Sequence, residues 1–181
     1  TAAASPVRIN GIELQVGDFR NCTVRSTGKT VGGEYPVRIG IEANGARIDR
    51  CLVDGAERVG IRICETITNT TVRNVTGTAI ADTTVATNRS ALLENVVIQN
   101  VGRGFAPQGA NNRGAGSEIT VRNITITHVQ GNCVAINDPD VDTLHVENGV
   151  FVDYGLNTAL PGSERAAFGG RHGFRGKVLN L

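Results

Sequence analysis

The sequence predicts an all-β chain built as a solenoid, a stack of short strands in which one local pattern is laid down repeatedly. Three observations predict it. One motif aligns, residue for residue, on six segments of the chain. Within each segment the apolar residues stand two or three apart and are rich in Val, Ile and Thr, which fit a pleated, half-buried surface. The distance between segments changes while the motif does not, as expected of a rigid layer that takes insertions at fixed corners.

The segments are "FRNCTV" at Asn21, "IDRCLV" at Arg50, "ITNTTV" at Asn69, "LENVVI" at Asn95, "VRNITI" at Asn123 and "VENGVF" at Asn148. Two residues before each of these anchors stand Phe19, Ile48, Ile67, Leu93, Val121 and Val146; three residues after stand Val24, Val53, Val72, Ile98, Ile126 and Phe151. Both columns are wholly apolar and are expected to face a core. The column six residues after the anchor, from Thr27 and Ala56 to Val129 and Tyr154, is mostly apolar as well. The column five residues after it, Ser26, Gly55, Asn74, Asn100, His128 and Asp153, reads as a turn. Anchors recur unevenly, every ~20 to 30 residues, unlike the constant period of a helical repeat array. Each circuit adds a second strand that begins with glycine or another small residue: "RIGIEAN" (38–44), "RVGIRIC" (58–64), "GTAIADT" (77–83), "GRGFAPQ" (102–108) and "NCVAIND" (132–138).

Short strands, tight turns and an asparagine at the same corner of successive circuits resemble the right-handed parallel β-helix of the pectin-lyase-like superfamily, over roughly residues 9 to 155. Within it, the chain is most similar to the β-helical sections of bacteriophage tailspikes. The resemblance implies about six rungs over 1–155, each stacked at the ~4.8 Å strand spacing, and a non-repeating tail over 156–181. Corner asparagines suit a left-handed backbone and can bond from rung to rung. Asn21, Asn69, Asn95, Asn123 and Asn148 are therefore expected to form a ladder. Arg50 interrupts it, and a locally different turn is expected there. An antiparallel β-sandwich also uses short strands and frequent turns, but it keeps no column register over six segments.

Composition narrows the function. A formal net charge of +1 over 181 residues carries no nucleic-acid footprint, and no stretch approaches the ~18 to 20 apolar residues of a membrane span. With 23 glycines, no tryptophan and no methionine, the core must be filled by Val, Ile, Leu and Ala, and the chain reads as a processed product or part of a longer one. Cys22 and Cys51 share the position after the anchor, within disulfide reach; in-register side chains point the same way, so stacked thiols are expected over a bridge. No cysteine or histidine spacing indicates a metal, and no cofactor is expected. Five N-x-S/T sequons occur, at Asn21, Asn69, Asn74, Asn88 and Asn123, three of them ladder anchors, so the repeat itself generates them.

Aligned second strands place Asp82 and Asp138 near equivalent positions two rungs apart, about 9 to 10 Å, near the upper end of the carboxyl separation in inverting glycosidases. Glu65 lies on an earlier rung. These three are the candidate catalytic groups of a polysaccharide lyase, hydrolase or epimerase, though "NDPDVD" (137–142) is also an ordinary turn sequence. The Asn-Thr-Asp, paired Asp-Asp and Gly-His-Gly motifs of polygalacturonase-like enzymes are missing, and Asp138-Pro139-Asp140 lacks the histidine of the alginate epimerases. Two insertions, 26–38 and 107–117, offer Tyr35, Gln108, Asn111, Asn112 and Arg113 as glycan contacts. The tail sets Arg165, Arg171, Arg175 and Lys177 against Glu164 alone, as an arm docking on a neighbouring subunit or domain. The resemblance implies a structural or host-surface-binding module of a phage virion, virion-borne or extracellular. Its partners are its own copies in a homotrimer, other virion subunits or a bacterial surface polysaccharide, with no nucleic acid and no membrane. The polysaccharide enzyme is the alternative and a non-viral adhesin a lesser one.

Overall fold

In the computed structural model the described residues are 9–14, 17–26, 37–43, 45–62, 65–82, 91–107, 118–136, 143–170 and 175–180. Among them the chain is all-β, with no α-helix and one short 3-10 turn at Gly162–Glu164. Fifteen strands join in one sheet. They fall into three stacked sets, and every pair named below is parallel.

The first set takes the residues before each anchor. It runs β2 (Asp18–Arg20), β5 (Arg47–Asp49), β8 (Thr66–Thr68), the start of β10 (Ala91–Pro107), β11 (Glu118–Val129), β13 (Thr143–Val152) and β15 (Arg175–Leu179). The second takes the residues after the anchor: β3 (Thr23–Arg25), β6 (Leu52–Ala56), the start of β9 (Thr71–Asp82), then the continuations of β10, β11 and β13. The third is the second strand of each circuit: β1 (Ile9–Leu14), β4 (Val37–Ala43), β7 (Val59–Arg62), the ends of β9 and β10, β12 (Val134–Ile136) and β14 (Phe168–Gly170).

The sharp changes of direction are single left-handed residues. Asn21, Arg50, Asn69, Asn95, Asn123, Asn148 and Asn180 all have φ between 50° and 56°. Five residues beyond the anchors the turn column repeats the device, with Gly55 at 94°, Asn74 at 57°, Asn100 at 53°, His128 at 55° and Asp153 at 52°. Such a backbone costs an L-residue about 1–2 kcal/mol, least for asparagine. The amides return part of that cost. Nδ2 of Asn95 donates to Oδ1 of Asn69 (3.1 Å), Asn123 to Asn95 (3.1 Å) and Asn148 to Asn123 (3.0 Å). A second ladder runs from Asn100 to Asn74 (2.7 Å).

Three expectations are corrected. Arg50 makes no different turn: its φ is 52°, and what changes is the acceptor, because Asn69 donates to the preceding Asp49 (2.8 Å). Asn74 likewise donates to Asp54, one residue before the side-chain-less Gly55 (2.6 Å). Hydrogen bonds from Asn69 and then Thr68 hold the Asp49 carboxyl below the usual carboxylate range. At Asp54, Arg73 (2.8 Å) and then Asn74 do the same. The tail does not leave the pattern either, since Arg175–Leu179 pairs in register with Thr143–Glu147 and Asn180 extends the ladder to Asn148 (3.1 Å). Val178 and Asn180 are the apolar and anchor positions of one more motif.

The third correction concerns register. Ile80 pairs with Phe105 and Phe105 with Val134, so "NCVAIND" slips by one residue against its expected alignment. In true register a small residue, Gly11, Gly40, Gly60, Ala79, Gly104, Cys133 or Ala167, precedes an apolar one, Ile12, Ile41, Ile61, Ile80, Phe105, Val134 or Phe168. The glycines are required by space. A Cβ at Gly40 would stand 2.5 Å from the Gly60 carbonyl oxygen and 2.5 Å from Cγ1 of Val53. Second and third sets thus meet in the interior, and one core cluster unites Ile48, Val53, Ile61, Val72, Ile98, Phe105 and Ile126 with their neighbours. Cys51 and Cys133 are buried thiols and, with Cys22, free; burial pushes Cys133 up to about 12.

Candidate functional site: an arginine-lined groove

Alternation along β4 and β7 carries polar side chains to the surface of the third set. There, Asn10, Arg38, Glu42, Arg58, Arg62 and Thr78 line a groove of about 410 Å³, with Ile39, Val59 and Ala81 as its apolar floor. Register decides which side chains are neighbours. Glu42 pairs with Arg62 across β4 and β7, and Arg58 N–H donates to the Arg38 carbonyl (3.0 Å), which sets the two arginines side by side.

The charges in the groove are unevenly satisfied. Glu42 Oε1 accepts from Arg62 Nη1 (2.9 Å) and Oε2 from Asn10 Nδ2 (3.0 Å), so both carboxylate oxygens are engaged. Arg38 and Arg58 are exposed, and among the described residues no hydrogen bond or ion pair reaches either guanidinium. Thr78 N–H donates to the Arg58 carbonyl (2.8 Å), and the row continues through Gly77 and Gly102, where neighbouring backbone fills the space a side chain would take. An anionic ligand in the groove would therefore meet the two arginine side chains rather than the main chain.

Of the expected catalytic residues, register places Asp82 and Glu65 on different strand sets. Asp82 ends β9 opposite Pro107, directly after groove-lining Ala81, and Phe105 pairs with Val134, which sets Asp82 level with Ile136. Asp138, expected near an equivalent position, lies outside the described residues. Glu65 stands across the corner in the column of Ala46 and Ala91, half-buried, with its backbone between theirs (Glu65 N–H to Ala46, 3.1 Å; Leu92 N–H to Glu65, 2.8 Å). Tyr35, Gln108, Asn111, Asn112 and Arg113 lie outside the described residues. Among the described residues no group of three His, Cys, Asp or Glu could hold a metal ion.

Sequence reasoning missed the arginines. Their signal was available: "RIGIE" and "RVGIR" repeat Arg-x-Gly-Ile on consecutive circuits, a repetition that core packing demands only of the Gly-Ile half. Comparison with protein families, with curated proteins and with solved structures finds no match to this chain.

Proposed function

We propose that the three strand sets close on one another as a right-handed parallel β-helix, and that this helix is the host-surface-binding module of a phage virion, holding a bacterial polysaccharide on its outer face. The observation that carries the binding role is the groove: two guanidiniums without a partner among the described residues, beside Glu42 and Arg62, which engage each other. Closure is supported by the core cluster shared between the sets and by the approach of Val53 to Gly40. The virion setting, the homotrimer and a virion or extracellular location follow from the resemblance to tailspikes, and fold alone does not fix function. A polysaccharide-cleaving enzyme is the second reading, with Glu65, Asp82 and Asp138 as its candidate acid and base groups.

Light scattering on the native protein, followed by incubation with a panel of bacterial surface polysaccharides and a reducing-end assay, separates the two. A trimer that retains a polysaccharide and releases no new ends is the expected result. A monomer that cleaves one, and stops in Asp82→Asn, overturns the binding reading.

A further inference from the structure

We infer that Arg38 and Arg58 form an oxyanion subsite for a phosphate group, carried as a phosphodiester within the bound polymer. This inference rests on the surface-binding reading and names its ligand class. Like charges directly opposite on neighbouring strands destabilise a sheet. Here Arg38 and Arg58 line one groove on adjacent, hydrogen-bonded backbone, with no described acid bonded to either, whereas Arg62, at the far end of the strand that follows Arg58, is matched to Glu42. A fold with no use for that pair has no reason to bear its repulsion.

Geometry selects the ligand. Adjacent strands are ~4.8 Å apart, so two guanidinium forks can close from one side on a single tetrahedral group with several oxygens. A planar carboxylate is already satisfied by one fork. Glu42 sets the second limit. Its carboxylate lines the same groove with both oxygens occupied, so a polymer with an acid on every residue would bring one of them against it. The favoured chain therefore carries isolated anions separated by neutral polyol or sugar, which lies over the apolar floor of Val59, Ile39 and Ala81.

The test is calorimetric titration of the whole chain with a glycerol-phosphate polymer, a polyuronate and neutral dextran. The phosphodiester polymer is expected to bind tightest, about tenfold weaker in R38Q or R58Q and roughly a hundredfold weaker in the double variant. R38K and R58K, which keep the charge but lose the fork, are expected to fall between. R122Q, on another strand set beside Glu147, is expected to bind as wild type. Both groove arginines are exposed, and unfolding midpoints at or above that of wild type, as relief of their repulsion requires, will show that the variants fold. A polyuronate bound as tightly, or a double variant that binds unchanged, overturns the inference. Wild type and double variant binding a neutral polysaccharide alike would sink the phosphate subsite and leave the surface-binding reading standing. Failure to retain any polysaccharide in the wider panel would sink that reading itself.

Discussion

Gly40→Ala introduces a single methyl group where the interior has no room for it. The new Cβ would meet the Gly60 carbonyl oxygen and Val53 Cγ1, both at 2.5 Å, and each contact must open by at least half an ångström to reach the 3.0 Å that real Cβ atoms observe. Neither neighbour yields freely. The carbonyl belongs to β7, held in register by the pairs Ile39 with Val59 and Ile41 with Ile61, and Val53 is fully buried. Overpacking of this kind costs roughly 1–3 kcal/mol, and two simultaneous contacts, one with main chain, place the expected loss near 3 kcal/mol. For a chain of this length that corresponds to a melting point lower by about 6–12 °C. Urea unfolding followed by circular dichroism reads it directly. Gly162→Ala, with nothing within 4 Å of the added atom, is the matched control and is expected to be near neutral. Adding Val53→Ala to Gly40→Ala should show a favourable coupling of about 0.5–3 kcal/mol, because one of the two clashes disappears. A Gly40→Ala midpoint within error of wild type would refute the close approach of the second and third strand sets.

Asn95→Ala removes a donor to Asn69, an acceptor for Asn123 and the residue type that tolerates φ of 54°, so it is expected to cost about 2–3 kcal/mol. Asn95→Gly, which relieves the backbone, should cost about 1–2 kcal/mol less in the same unfolding assay. The depressed Asp54 carboxyl contributes stability that is complete above its unfolded value of about 3.9 and is lost as pH falls through its lower folded value. Urea midpoints between pH 2 and 7 should therefore decline less on the acid side in Asp54→Asn than in wild type; parallel curves would contradict the assignment. Under iodoacetamide at pH 8, peptide mapping should find half-exposed Cys22 alkylated well before the buried Cys133, whose thiol is pushed up to about 12, and equal rates would refute the burial.

What was legible in the sequence was whatever the fold repeats at a fixed position. Asparagine at one corner, Val and Ile three residues later and a turn residue at the fifth position could be read because each strand copies its neighbour, and these columns took their expected places except at the first turn residue, Ser26, which is not left-handed, and at Phe151, which is only partly buried. What is shared between unlike positions could not be read. Asp49 and Asp54 end the two amide ladders from the residue before the corner, a role that depends on which side chain the adjacent strand presents. Cys133 took the place of a glycine as a small residue, and with Val134 and Ala135 both apolar, composition could not decide which of them faced the core, so the register slipped by one. Val178 and Asn180 were hidden by their basic, glycine-rich surroundings. Arg38 and Arg58 were passed over because exposed arginine is common on any strand, and only pairing distinguishes a partnered cation from an idle one.

The corners of each circuit are not alike, and their difference separates two kinds of heritable change. Two of them are single residues five apart, which sets the width of the intervening strand like a gauge. At the third, where strands of the third set give way to the first, the chain returns after Ala43 at Arg47, after Asp82 at Ala91 and after Pro107 only at Glu118. Length varies at this edge and also where the second set gives way to the third, which takes the chain from Ala56 to Val59 in one circuit and from Val152 to Phe168 in another; the anchor corner alone keeps one length. A foreign peptide spliced between Asp82 and Ala91, or between Pro107 and Glu118, would enter where circuits already differ in length, outside the paired strands. The same molecule could in this way change what it touches while its folding instructions stay the same.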